Sequence, residues 1–482
     1  MPRLRRAEQL LGGVVVMQSG WRVAMLVVFL SATMAESQSL RVTKAEESRW
    51  LRWVIPLPKQ IRIEKKVKVN AADVRVIAVD NAGELAQAAT KELTGLIREK
   101  SGAESRPGKG KFEILVGVCD ASGCVAGVKT LAALGLKQRP NPEQAYVIQP
   151  VAPNRLLLTG LTEKGVYYAA QTLKQLLEGQ FAEGTVTIPL ATVNDWPDLA
   201  ERGEWGGSST SDIEWFAQQK MNLVEAHIDL SVDAEGKGVA KVNPKLLEQA
   251  RLHALNFVPI ITHLEQMEGT GLFVRFPELK GKGDPDAWKR IGNVKPACFS
   301  QPKLQEIMAD WLTCLARYPE VSDVCVWLSE NDVQCACDRC QSQNQFALET
   351  RVALRAWEAA KAVKPSLGLR ILLTQGSYRS NDKVLAMVPP EVGISYYHGG
   401  LTYDSTRNPM IYPLLADYAA KGRWLGCYPQ LTASWRIVCP WSGAQFIKAR
   451  MNEFVDKKLQ CLCGYATPNN RFYEFNVTAA AE

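Results

Sequence analysis

Between residues 200 and 482 the chain repeats one unit eight times: a short apolar run, then a stretch with helical spacing. The runs are 200–205, 223–230, 257–263, 322–330, 369–375, 393–399, 423–429 and 460–466. Helices between them include 211–220, 244–255, 301–318, 345–363, 412–421 and 445–458. An apolar run of that length, bounded by turns, reads as a buried parallel strand. Eight such units from 200 to 482 fit a (β/α)8 TIM-type barrel, which takes about 250 residues. The nearest alternative is an open, doubly wound sheet, but no Gly-rich phosphate loop follows any strand. The last strand ends near Ala466 and the sequence stops at Glu482, so the eighth helix reads as truncated and the chain as a fragment.

A different pattern precedes the barrel, which spans 194–482. DVRVIAVD (73–80), FEILVGV (112–118), AYVIQPV (145–151), RLLLTG (155–160) and TVTIPLATVNDWP (185–197) read as strands. Glu84–Lys100 and 166–178 read as amphipathic helices. Strands with a helix or two on one face make an α+β domain, here 70–193, with 36–69 as an opening strand and linker. Residues 1–35 carry Arg3, Arg5 and Arg6, an apolar stretch after Arg22, and small residues at Thr33 and Ala35. That is the layout of a signal peptide. The expected destination is secreted or periplasmic, and no later segment is long enough to span a bilayer.

Charge excludes one class of partner. Lys+Arg is 57 and Asp+Glu 50, a net +7. Without the leader, which holds four cations and one anion, the balance falls to +4. With no basic run either, nucleic acid is not an expected partner. The sequence also calls for no cofactor.

In a barrel the working groups project from the C-terminal strand ends. Those ends supply Arg202, Glu204 and Trp205; His227 and Asp229; His263; Glu330 and Asp332; Gln375 and Tyr378; Tyr396, Tyr397 and His398; Tyr428; and Asn469 with Asn470. Carboxylates, an arginine, amides and many rings suit a polyhydroxylated ligand. There is no Ser-His-Asp order and no HExxH. Glu330 leaves an apolar strand, where desolvation raises a carboxyl's pKa toward that of a general acid. The competing reading is a solvated loop carboxylate. Arg202 can hold two hydroxyls or a carboxylate with its planar fork, or serve a structural ion pair. The three histidines show no metal-ligand spacing, so hydrogen bonding is their expected role.

Cys335, Cys337 and Cys340 lie within six residues, immediately after Glu330, and Cys298 offers a fourth thiol. The cluster is expected to be in mutual contact and to clamp the loop carrying Glu330. Zinc needs four ligands, and C-x-C-x-x-C supplies three. Export favours disulfides or free thiols over a metal. Cys461 and Cys463 share one strand face and read as core. Cys119 and Cys124 flank a short turn.

NRLLLTGLTEKGVYYAAQTLKQLLE (154–178) resembles the hallmark of the non-catalytic second domain that precedes the barrel in glycoside hydrolase family 20 β-hexosaminidases. The same module occurs before O-GlcNAcase-like and α-glucuronidase-like barrels. NDWPDLAERGEW (194–205) resembles the D-x-P-x-x-x-x-R-G approach to the first barrel strand, and WFAQQKMNLVEAHIDL (215–230) the K-x-N run after it. WLSENDVQCACDRC (327–340) is similar to barrels of domain of unknown function 4838, glycoside hydrolase family 163. The resemblance implies that Arg202 binds sugar hydroxyls and that Glu330 is the acid/base. Family 20 has an Asp-Glu pair there, whose aspartate orients the substrate acetamido group for attack on the anomeric carbon. Here the preceding residue is Ser329, which leaves Asp332, Glu204 or Asp404 to supply a second carboxyl.

The resulting expectation is an exported, retaining glycoside hydrolase acting on N-acetylhexosamine-containing glycans, with substrate assistance in question. Its catalytic pair is Glu330 and Asp332. Its binding set is Arg202, Glu204, Trp205, His227, His263, Gln375, Tyr397, His398, Tyr428 and Asn469. The alternatives are a non-catalytic carbohydrate-binding or surface protein on the same barrel, and an α-glucuronidase-like hydrolase in which Arg202 faces a uronate.

Overall fold

The computed structural model describes residues 39–80, 82–104, 110–206, 210–292, 294–402, 407–431, 442–465 and 474–482. The leader read over 1–35 lies outside them, as do Asp404, Asn469 and Asn470. No helix among the described residues is long and apolar enough to cross a membrane.

A mixed sheet comes first. Its main strands, in spatial order, are Leu40–Arg41, Gln60–Asn70, Thr185–Asp195, Tyr146–Ala152, Arg155–Gly160, Phe112–Val118 and Val74–Ala78. The last three run parallel and the other neighbours antiparallel. The segment read as an opening strand and linker thus supplies two strands of the sheet. Helices Glu84–Ser101 and Glu163–Leu177 pack on one face. The second starts at Thr162, whose hydroxyl accepts from the Lys164 amide and satisfies an orphan donor. It buries Val166, Ala170, Leu173 and Leu177. Gly165 explains why this stretch is so distinctive in sequence. A Cβ there would lie 2.3 Å from the Ala145 carbonyl oxygen, so only glycine lets the helix settle this close to the sheet.

Eight parallel strands then close the expected barrel: Glu201–Trp205, Leu223–His227, Asn256–Ile261, Asp323–Trp327, Gly368–Leu373, Gly393–Tyr396, Leu425–Cys427 and Cys461–Tyr465. A helix follows each strand, which keeps neighbours parallel. Both strand faces are covered, the inner by the packed lumen and the outer by helices, so the strands are mostly apolar and most of the charged residues they carry are buried. The eighth strand is followed by the helix Glu474–Ala481. It packs on Ala444–Asp456, and Asn476 ties it down by accepting from the Gly443 amide and donating to the Leu431 carbonyl.

The sheet and the barrel meet through the residues of the D-x-P, R-G and K-x-N motifs. Lys220 is buried and donates to Tyr146 Oη (2.7 Å) and Asp195 Oδ2 (3.2 Å). Asn222 donates to Gln144 Oε1 and to the Ala200 carbonyl, and accepts from the Arg202 amide. Arg202 donates to Gln144 Oε1 (3.0 Å), Leu199 O (2.6 Å) and Lys220 O (2.8 Å). Buried polar groups need such partners, and here each motif residue is the other's partner.

Candidate active site

Strand alternation decides which side chains face the lumen. Glu201, Gly203 and Trp205 pair in register with Cys461, Cys463 and Tyr465, and the two cysteines lie in the inner cluster with Leu223, Val258, Ile260, Cys325, Trp327 and Leu372. Arg202 and Glu204 therefore point outward. Two expectations are corrected here. Arg202 binds the sheet–barrel joint and cannot reach a sugar in the barrel mouth. The α-glucuronidase alternative, which rested on this guanidinium, loses its basis. Glu204 is fully buried on the outer face, with neither carboxyl oxygen hydrogen-bonded, and burial holds its pKa well above the usual carboxylate range.

The lumen closes below on charge. Arg370 lies 2.7 Å from Glu201, 3.3 Å from Asp323 and 3.6 Å from Glu225, with its guanidinium over the Trp424 ring. Tyr428, expected to contact ligand, is instead fully buried and donates its hydroxyl to Glu225. It forms floor, not wall.

Above this floor is a ring cluster. Trp327, at the end of the fourth strand and 3% exposed, is its hub. Trp205 (4.9 Å), His227 (5.1 Å), His263 (4.8 Å) and Tyr428 (6.2 Å) surround it, mostly edge to face. Tyr397 packs against the same group and is half-buried, while His227 is exposed at the rim.

Glu330 sits on this wall. Burial raises its pKa above the ordinary carboxylate value. Its Oε1 is 3.4 Å from His263 Nε2. His263 Nδ1 is 2.9 Å from the Leu328 carbonyl oxygen, which can only accept, so the ring proton is on Nδ1. Burial lowers the His263 pKa to about 4, so the ring is neutral and Nε2 presents a lone pair. A neutral imidazole aimed at a desolvated carboxyl favours the protonated acid, which can donate toward it. The backbone here is pinned by Gly376: a Cβ there would sit 2.6 Å from the Glu330 carbonyl carbon and oxygen.

The flanking residues turn elsewhere. Ser329 is buried and faces outward: its amide and hydroxyl donate to Glu349 (3.0 and 2.7 Å), which also accepts from Gln345. The Ser329 side chain therefore does not face the lumen. Asn331 donates twice to buried Glu265. Asp332 is exposed and lines an open cleft of about 510 Å³ with Gln375, Tyr378, Arg379 and His398. In that cleft Gln375 Oε1 accepts from the Gly399 amide, and the His398 and Tyr378 rings meet edge to face. A second cavity, about 480 Å³, opens at the sheet–barrel seam beside Arg202 and Lys220, away from the strand ends that carry Glu330.

Sequence reasoning missed four groups. Trp327 alternates with Cys325, a signal for the lumen that the apolar reading of its strand overlooked. Arg370 interrupts an apolar strand, which marks an internal charge partner. Glu265 and Glu349 gave no local signal, because their partners are distant in sequence. The four thiols do come together: each of Cys298, Cys335, Cys337 and Cys340 places its sulfur within 4.8 Å of the others.

Glu225, Glu265 and Glu349 each have a pKa raised to about 7, first by burial, from an ordinary 4.5. A carboxyl whose pKa is higher in the fold than in the unfolded chain favours folding while protonated. That contribution is lost as pH rises from about 4.5 to about 7. Thermal unfolding should therefore occur at a lower temperature near pH 8 than near pH 5.5, and Glu349→Gln should flatten the dependence. A melting temperature that climbs over this window would mean that these carboxyls are ionised in the fold.

Residues 52–196 match the family model described as glycosyl hydrolase family 20, domain 2. No curated protein sequence matches the chain. Among solved structures, the Flavobacterium johnsoniae chitobiase aligns with a TM-score of 0.61 at 12% identity, over 89% of this chain and 68% of that one. The exo-β-N-acetylglucosaminidase of Vibrio harveyi, in complex with N-acetylglucosamine, gives 0.59 at 12% identity over 92% and 75%. The N-acetyl-β-hexosaminidase of Streptomyces plicatus gives 0.58 at 14% identity over 89% and 90%. The chain is thus similar to family 20 glycoside hydrolases in the sequence of its N-terminal module and in the fold of module and barrel together.

Proposed function

We propose that this chain is an exported glycoside hydrolase acting on N-acetylhexosamine-containing glycans, with Glu330 as its general acid. The observation that carries the reading is the desolvated Glu330 carboxyl facing the lone pair of neutral His263 on an aromatic wall. A carboxyl whose pKa is raised by burial can protonate the departing glycosidic oxygen. Half-buried Trp205 and Tyr397 offer rings for the apolar face of a pyranose, with buried Trp327 packed behind Trp205. The likeness to an exo-β-N-acetylglucosaminidase in complex with N-acetylglucosamine supports the sugar class.

Glycoside hydrolysis by the ordinary routes needs a second carboxyl. Glu265 is committed to Asn331 and Glu349 to Ser329 and Gln345, both in buried sites. Asp332 is the acid near Glu330 that is open to solvent, and we assign it the second role. With Ser329 turned to Glu349, acetamido assistance has no polarising group next to Glu330. That same feature favours a second reading, sugar binding without hydrolysis.

Assays with matched aryl N-acetyl-β-glucosaminides and aryl β-glucuronides test the reading. Turnover of the first and not the second is the expected result, and Asp332→Asn should abolish most of it. Binding of N-acetylglucosamine with no turnover of any glycoside would establish the second reading. Turnover of the glucuronide alone would remove the proposed sugar class.

A further inference from the structure

The cysteine cluster lies outside the proposed chemistry, and its geometry is specific. Cys298 Sγ is 3.7 Å from Cys337 Sγ and 3.8 Å from Cys340 Sγ, and all four sulfurs fall within 4.8 Å of one another. None is disulfide-bonded. In a regular tetrahedron with Zn–S bonds of about 2.3 Å, neighbouring sulfurs are separated by about 3.8 Å. Three of the thiols are buried and Cys337 is half-buried. We infer that Cys298, Cys335, Cys337 and Cys340 form a tetrathiolate site for a structural zinc ion, or another soft divalent metal.

The surroundings suit thiolates. The Lys282 amide donates to Cys335 Sγ at 3.2 Å. The amides of Cys337, Cys340 and Ser300 face the sulfurs of Cys335, Cys337 and Cys340 respectively. Ser300 Oγ is 3.3 Å from Cys298 Sγ and 3.2 Å from Cys340 Sγ. Amides directed at sulfur hold the ligand side chains in place, the outer-shell support such sites need. Loading would release the thiol protons to solvent as four S–metal bonds form.

The ligands come from two segments. Cys298 precedes the helix Pro302–Ala316, and the other three follow Glu330 by five to ten residues. The loop is also stitched by Ala336 N to Lys282 O and by Gln334 Nε2 to Gln343 O. With four protein ligands the site is closed, so the metal takes no part in sugar chemistry. It fixes the segment bearing Glu330, Asn331 and Asp332 against the loop after the third strand. This inference does not depend on the hydrolase reading.

The test uses the full chain purified without chelator. Elemental analysis should find about one zinc per chain. After removal of the metal, titration with cobalt(II) alone should give sulfur-to-cobalt charge transfer and the intense visible bands of a tetrahedral thiolate site. Both should saturate at one equivalent and be bleached by zinc. Cys298→Ser and Cys337→Ser should each lose the tetrathiolate spectrum, and the wild-type titration stands even if a variant fails to fold. Mass spectrometry showing two disulfides among these four cysteines would overturn the inference. So would folded, reduced protein that yields only the weak spectrum of octahedral cobalt.

Discussion

Glu330→Gln should lower hydrolysis of an N-acetylhexosaminide with a poor leaving group by about two to four orders of magnitude, the usual worth of general acid catalysis. Glutamine keeps the shape of the side chain and removes its proton. An activated aryl glycoside needs little protonation of its leaving group, so its loss should be smaller. The pH profile carries the same information. A general acid works while protonated, so activity should fall as pH rises through the raised pKa of Glu330, and that alkaline limb should vanish in the variant. His263, neutral above about pH 4, contributes no charge over the working range. Equal loss on both substrates, with the limb unchanged, would assign the effect to binding and remove Glu330 from the acid role.

The second large effect concerns stability. Arg370 is 3% exposed and faces Glu201, Asp323 and Glu225 beneath the site. Removing one partner of a buried ionic group leaves charge uncompensated in a medium that solvates it poorly. The cost is about 3–5 kcal/mol. Arg370→Met should lower stability by that amount in denaturant titration. Adding Glu201→Gln should recover part of the loss, because the carboxylate nearest the lost guanidinium is gone. A single variant as stable as the wild type would mean that water reaches the barrel floor.

The barrel was legible because eight apolar runs at regular spacing leave few other solutions; six of the runs contain the strand that forms, and the other two miss only its first residue. The N-terminal sheet was legible for the same reason, its strands being continuous in sequence. Side-chain direction was harder. A five-residue strand such as Glu201–Trp205 offers no long alternation, and whether Arg202 or Gly203 faces the lumen is fixed by register with Cys463 across the barrel closure. The resemblance to family 20 pointed Arg202 toward function, whereas it holds the joint together with Lys220. Tyr428 was read from its position at a strand end, and only its bond to Glu225 shows that it lies below the ligand level. Glu330 needed nothing distant, since the step from apolar strand to carboxyl is local.

The joint also bears on how the chain acquires its structure. The acceptors Gln144, Tyr146 and Asp195 belong to the module that leaves the ribosome first. They are in place before Lys220, Arg202 and Asn222 arrive to be neutralised or bonded. A barrel expressed without that module would expose Lys220, Arg202 and Asn222 to water and lose the bonds that brace its first strand. The two halves should therefore be gained and lost in a single cooperative step, with probes in the sheet and in the barrel reporting one unfolding transition.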